Sequence, residues 1–79
     1  MHDPSVDMVM DSCITDLMSQ IAFIMRRDGV TQAMLAKRMG APSSFVSRIF
    51  RSPSNLTIRT VVRIMLALDV SLAFVIDDA

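Results

Sequence analysis

Apolar and polar positions along this chain fall into three successive patterns. Between residues 6 and 24 the apolar positions Val6, Met10, Cys13, Ile14, Leu17, Ile21 and Ile24 recur at steps of three and four. That is the signature of a helix burying one stripe. Val9, Met18, Phe23 and Met25 widen the stripe past a single face. A helix apolar most of the way round needs cover on several sides, and a chain of 79 residues has little core to give. Ser5 is a candidate N-cap and Asp28-Gly29 a stop. The pattern therefore predicts a first helix over residues 5–27, with residues 1–4 as a tail. Two readings stand for residues 5–15. Either they fold over the domain's own core, or they pack on a second copy or another protein, with Met10 and Ile14 at the contact.

A second pattern runs from residue 31 to 51, TQAMLAKRMGAPSSFVSRIFR. Thr31 is a good N-cap, since its hydroxyl can accept from the free amides of a first turn. Leu35, Ala36 and Met39 make one short apolar stripe, and Val46, Ile49 and Phe50 make another. Gly40 supplies a turn between them, and Ala41-Pro42 pushes the chain extended before it re-enters a helix. Ser44, Ser47, Arg48 and Arg51 stand at i, i+3, i+4 and i+7 and form the polar face opposite the second stripe. Phe45 beside them reads as core or as an outward apolar contact.

The third pattern begins after Ser52-Pro53-Ser54-Asn55, a loop by composition. Thr57 caps a helix within residues 57–69, whose stripe is Ile58, Val61, Val62, Met65 and Leu68. Residues 71–76, SLAFVI, then alternate so that Leu72, Phe74 and Ile76 share one face of a strand. A lone strand needs a partner for its amides. The economical partner is the same strand of a second chain, antiparallel across a twofold axis. The competing reading is a last turn of helix within the monomer.

Charge changes the picture. Formal net charge is zero, which by itself argues against nucleic acid. All eight cations, however, lie between residues 26 and 63 with a single acid, Asp28, so that window carries +7. The other seven aspartates lie in the terminal segments. A basic middle between acidic ends fits a domain with one phosphate-facing side. The bland alternative is an ordinary solvated surface.

The segment resembles the lambda-repressor/Cro-like (XRE-type) helix-turn-helix domain. The marks are Thr31-Gln32, Leu35-Ala36, Gly40, Val46-Ser47-Arg48-Ile49 and the later run Asn55-Leu56-Thr57-Ile58-Arg59-Thr60, and the likeness covers roughly residues 17–76. It implies a mainly α fold, a compact four- to five-helix bundle with a short C-terminal β-strand pairing across a dimer. It also implies a sequence-specific DNA-binding regulator, a homodimeric repressor, within a subgroup that includes antitoxins binding a toxin protein. Carried over by position, Gln32 would anchor a phosphate, and Ser43, Ser44, Ser47 and Arg48 would face base edges. Arg48 is the natural direct reader, because a guanidinium can bridge guanine O6 and N7. Arg51, with Lys37 or Arg38, would meet phosphates, and Asn55 and Arg59 would be secondary contacts. For Ser43 and Ser44, helix capping after Pro42 is an equal reading. Three positions depart from the family pattern. Pro42 stands where a capping Ser or Thr is usual, and Met34 where an acid is common. Phe50 replaces an acid that often pairs with a first-helix arginine, which would free Arg26 or Arg27.

Other chemistry is poorly supplied. The chain has no Glu and no Tyr, one histidine (His2) in the tail, and one cysteine (Cys13) on an apolar stripe, where it reads as core. No nucleophile–base pair, metal-ligand cluster or phosphate-cradling glycine loop can be assembled. No enzyme, metal or cofactor is expected. The N-terminus is acidic where a secretory signal would be basic. Charges interrupt every apolar run before the roughly eighteen residues of a membrane span. The expectation is a cytoplasmic protein with no membrane partner.

Overall fold

The computed structural model describes residues 3–53 and 56–78. Four helices follow one another: α1 (Pro4–Asp28), α2 (Gln32–Met39), α3 (Ser43–Arg51) and α4 (Ile58–Leu68). The first helix starts earlier than its Ser5 suggested. Asp3 is the N-cap and Pro4 takes the first helical position, where its missing N–H costs nothing. The Asp3 carboxylate accepts from the Ser5 amide at 3.0 Å and from the Ser5 hydroxyl at 2.8 Å. Those bonds hold the Asp3 carboxyl below its ordinary value. Ser5 is thus the donor to the cap and not the cap itself.

Three of the four helices end on one device. Gly29, Gly40 and Asp69 adopt left-handed backbone, with φ of 68°, 65° and 57°. The amide of the next residue then reaches back to the last turn: Val30 to Met25 O at 2.8 Å, Ala41 to Ala36 O at 3.0 Å, Val70 to Met65 O at 3.0 Å. This pattern satisfies helix-end carbonyls and folds the following apolar residue inward. Val30 is buried, and Ala41 and Val70 are half-buried. Glycine suits the first two sites for want of a Cβ, while Asp69 is one of the few residue types that tolerate the conformation.

The core draws one fully buried side chain from each helix: Ile21, Leu35, Val46 and Ile64. Met25, Val30, Ala36, Val61, Met65 and Leu68 complete it, and no polar side chain among the described residues is buried with them. Two arginines cross between α2 and α4. Arg38 donates to Ala67 O at 3.3 Å and Arg63 to Met39 O at 3.4 Å. Each cation therefore meets a carbonyl in the last turn of the opposite helix, where the helix dipole favours positive charge.

The first half of α1 lies outside this core. Residues 3–13 are all exposed, Cys13 among them. The reading of Cys13 as core is therefore corrected: its stripe continues that of Leu17 and Ile21, but the core stops short of it. The helix is also long and apolar enough, by length and composition, to cross a membrane. Asp11 and Asp16 do not break it, contrary to the sequence expectation. Its second half nevertheless packs Ile21 and Met25 into the core against α2 to α4, which commits it to this domain.

After α4 the chain runs on without regular structure. Among the described residues there is no strand and no fifth α-helix. The final helical turn weighed for residues 71–76 does not form. Leu72 packs on the core, whereas Phe74, Val75 and Ile76 are 72, 81 and 96 % exposed. A single chain offers this segment no neighbouring strand, so no ladder forms within it.

Candidate nucleic-acid interface

The outward face of α3 follows from how α2 holds it. Thr31 caps α2, its hydroxyl accepting from the Met34 amide at 3.1 Å. Leu35 and Ala36 on the inner side of α2 are buried, as is Val46 of α3. Phe45, Ile49 and Phe50 pack around that contact, half-buried. With Phe45, Val46, Ile49 and Phe50 turned inward, Ser43, Ser44, Ser47, Arg48 and Arg51 are left exposed. Gln32, the first residue of α2, is exposed as well. The start of α3 carries no side-chain cap: Pro42 has no donor or acceptor to offer, and only its carbonyl is engaged, by the Phe45 amide at 3.0 Å.

Phe45 is tied from outside. The Arg63 guanidinium lies over its ring, 5.4 Å from the centroid, within cation–π range. Arg63 therefore links α4 to α3 through Phe45 and to α2 through Met39 O. Nothing in the local pattern around Arg63 signals this, because both partners lie at least eighteen positions away.

The cations divide into two sets. Arg27 pairs with the neighbouring Asp28 at 2.9 Å, which lowers the Asp28 carboxyl and raises the Arg27 guanidinium from their ordinary values. The Phe50 substitution thus leaves Arg27 with another partner. Arg38 and Arg63 are engaged with carbonyls between helices. Arg48 and Arg51 on α3, with Arg26, Lys37 and Arg59, are exposed and form no ion pair among the described residues. Cations without protein partners are the ones available to phosphates and base edges. Of the sequence-predicted contacts, Gln32, Ser43, Ser44, Ser47, Arg48 and Arg51 fall on the α2 start and the α3 face. Arg38 is turned to α4, and Asn55 lies outside the described residues.

Below Arg48 a groove of about 250 Å³ is lined by Phe45, Ile49, Pro53, Leu56 and Thr60. That is smaller than the roughly 300–1,000 Å³ of small-molecule sites. Among the described residues no group of His, Cys or Asp could hold a metal ion. The arrangement has the makings of a surface for a polyanion.

Comparison with known proteins agrees. A helix-turn-helix family model matches residues 22–75, well over half of the chain. No curated protein and no solved structure matches. The match spans the last turns of α1, the α2–α3 pair and α4, which are the elements that form the core and present the serine–arginine face. By that match the chain belongs to the XRE-type, lambda repressor/Cro-like helix-turn-helix family of DNA-binding regulators.

Proposed function

We propose that the protein is a sequence-specific transcriptional repressor, acting in the cytoplasm as a homodimer that sets α3 of each protomer into the major groove. The observation that carries this reading is the exposed serine–arginine face of α3, whose Arg48 and Arg51 have no ion-pair partner among the described residues. Arg48 reads guanine through O6 and N7, a contact worth about 1–3 kcal/mol of discrimination. Ser43, Ser44 and Ser47 make short-range contacts with base edges, phosphates or bridging water. Gln32, Arg51 and Lys37 hold phosphates, with Arg59 and Asn55 as secondary contacts. Arg38, held by Ala67 O, ranks last among them.

Dimerisation uses residues 71–76. Leu72, Phe74 and Ile76 alternate to one side, and the exposed Phe74 and Ile76 gain cover when two such segments pair antiparallel. Half-sites would then lie about 34 Å apart on a near-palindrome. The test combines sedimentation equilibrium with fluorescence anisotropy on duplex DNA from upstream of the protein's own gene. A dimer that prefers this DNA to scrambled duplex supports the reading. A monomer that binds both equally refutes it.

A second reading is favoured by the uncovered first half of α1: the chain is the antitoxin of a toxin–antitoxin pair, with Met10 and Ile14 in the toxin contact and DNA binding serving autoregulation. Co-purification of a small second protein from the native host is the outcome this reading requires.

A further inference from the structure

Three apolar segments that the core leaves uncovered meet at one groove. It holds about 410 Å³ and lies between α1, α4 and the chain after α4, with Cys13 and Leu17, Ile58 and Val61, and Phe74 and Val75 as its apolar walls. Each wall continues into bare apolar surface. On the first half of α1, the arm, Val9 and Val6 stand four and seven positions before Cys13 on the same side of the helix, and are 62 and 51 % exposed. On α4, Ile58 and Val62 belong to the apolar stripe by spacing, yet they are 68 and 43 % exposed. On the third wall, Phe74 and Val75 lead into Ile76, which is almost wholly exposed. Among the described residues Asp16 is the one charged residue lining the groove.

The amount of bare surface fits one occupant. The chain exposes 6126 Å², roughly 1,300 Å² more than the ~4,800 Å² of a compact monomer of 8.8 kDa. Its radius of gyration, 13.6 Å, likewise exceeds the roughly 11.6 Å usual for 79 residues. A standard protein interface hides about 800 Å² on each partner, so the surplus is enough for one face of a stable dimer. The face is also complementary to itself. The groove is a hollow, and Phe74, Val75 and Ile76 form an apolar ridge beside it. A twofold axis brings ridge to groove twice over, since an isologous interface pairs residue i with j and j with i.

We infer that a second copy of the chain covers this composite face: Val6, Val9 and Cys13 of α1, Ile58 and Val62 of α4, and the ridge of residues 74–76. The dimer is then held by helix packing as well as by the pairing of residues 71–76. A two-stranded ribbon alone is marginal in water, and the two helical walls supply the apolar area it lacks. The inference deepens the homodimer of the proposed function and rests on that part of it, not on DNA recognition. Dilution below the dissociation constant bares the arm again, so the single chain in dilute solution carries it uncovered.

The test is sedimentation equilibrium of the full chain and of single variants, with far-ultraviolet circular dichroism to check that each keeps its helices. Val9→Asp sets a charge on the face and should weaken the dimer at least about tenfold, as should Ile58→Asp from the α4 wall. Met8, 72 % exposed, stands on the other side of the same arm. Met8→Asp adds the same charge to the same helix and should leave the dissociation constant within about twofold. Alkylation of Cys13, the only cysteine, should slow as the parent dimer forms. Equal weakening by Met8→Asp and Val9→Asp overturns the inference, because charge on the arm and not the face would be the cause. A dimer indifferent to Val9→Asp and Ile58→Asp but lost in Phe74→Asp also overturns it, while leaving the pairing of residues 71–76 standing. A chain that stays monomeric overturns both and leaves the face to a different protein. Preference for the upstream duplex, measured on the same samples, decides the DNA reading separately.

Discussion

The two halves of α1 carry similar sequence and meet opposite fates. Leu17, Met18, Ile21, Ile24 and Met25 join the core, while Val6, Met8, Val9 and Met10 stand in solvent. Hydrophobicity does not separate them; length does. At about 1.5 Å per residue α1 is roughly 37 Å long, whereas α2, α3 and α4 reach only about 12 to 17 Å. The whole molecule measures 39 × 24 × 19 Å, so α1 alone sets its long axis. Three short helices can cover one end of such a rod and no more. Apolar periodicity says which face wants cover, and the reach of the neighbours decides how much of that face receives it.

The sharpest way to break this comparison is to trim one apolar side chain in each half. Ile21→Ala should cost about 2–5 kcal/mol in urea unfolding, a large share of a small domain's total stability. Met10→Ala should stay within about 0.5 kcal/mol. Equal costs would mean that the arm is covered in solution. Next in size is the arginine that braces α3. Arg63→Ala removes the ring contact with Phe45 and the bond to Met39 O and should lose about 1 kcal/mol. Arg48→Ala, on the open face, should leave unfolding unchanged.

Hydrogen exchange sharpens the contrast without mutation. Amides of residues 8–13 should exchange through local fraying, while those of residues 21–25 approach the protection of global unfolding. The smallest effect is at the helix start. The Asp3 carboxyl sits below its ordinary 3.8 through its bonds to Ser5, so its folded value lies under its unfolded one. Its contribution is complete above about pH 4 and is lost as pH falls through the lowered value. The first turn should therefore fray further in acid, seen as a shift of the Ser5 amide resonance, with no change between pH 5 and 8.

Much of the fold was legible because it is local. The stripes of α2 and α3, the Thr31 cap, Gly29 and Gly40 each declare themselves within a few residues, and the family resemblance rests on those same positions. The polar face of α3 could be read from Ser44, Ser47, Arg48 and Arg51 for the same reason. What could not be read is long-range. Arg38 with Ala67 O and Arg63 with Met39 O span 29 and 24 positions, and nothing local tells an interhelical brace from a phosphate contact. Cys13 reads as core in sequence because its stripe is continuous with buried residues, while the core itself stops short of it. Ser5 reads as the cap in sequence because Asp3 and Ser5 are both good capping types and only geometry separates acceptor from donor. The segment at residues 71–76 alternates as a strand would, but its pairing belongs to an assembly that one chain does not contain.

The measurement that bears most directly on the account is the binding of the parent protein and of Arg48→Ala to the duplex upstream of its own gene and to scrambled DNA, followed by anisotropy across a salt series. The parent should prefer the upstream duplex and weaken steeply with salt. Arg48→Ala should lose about 1–3 kcal/mol of that preference and keep most of its non-specific affinity. A variant that discriminates as well as the parent would contradict the claim that α3 reads bases through Arg48.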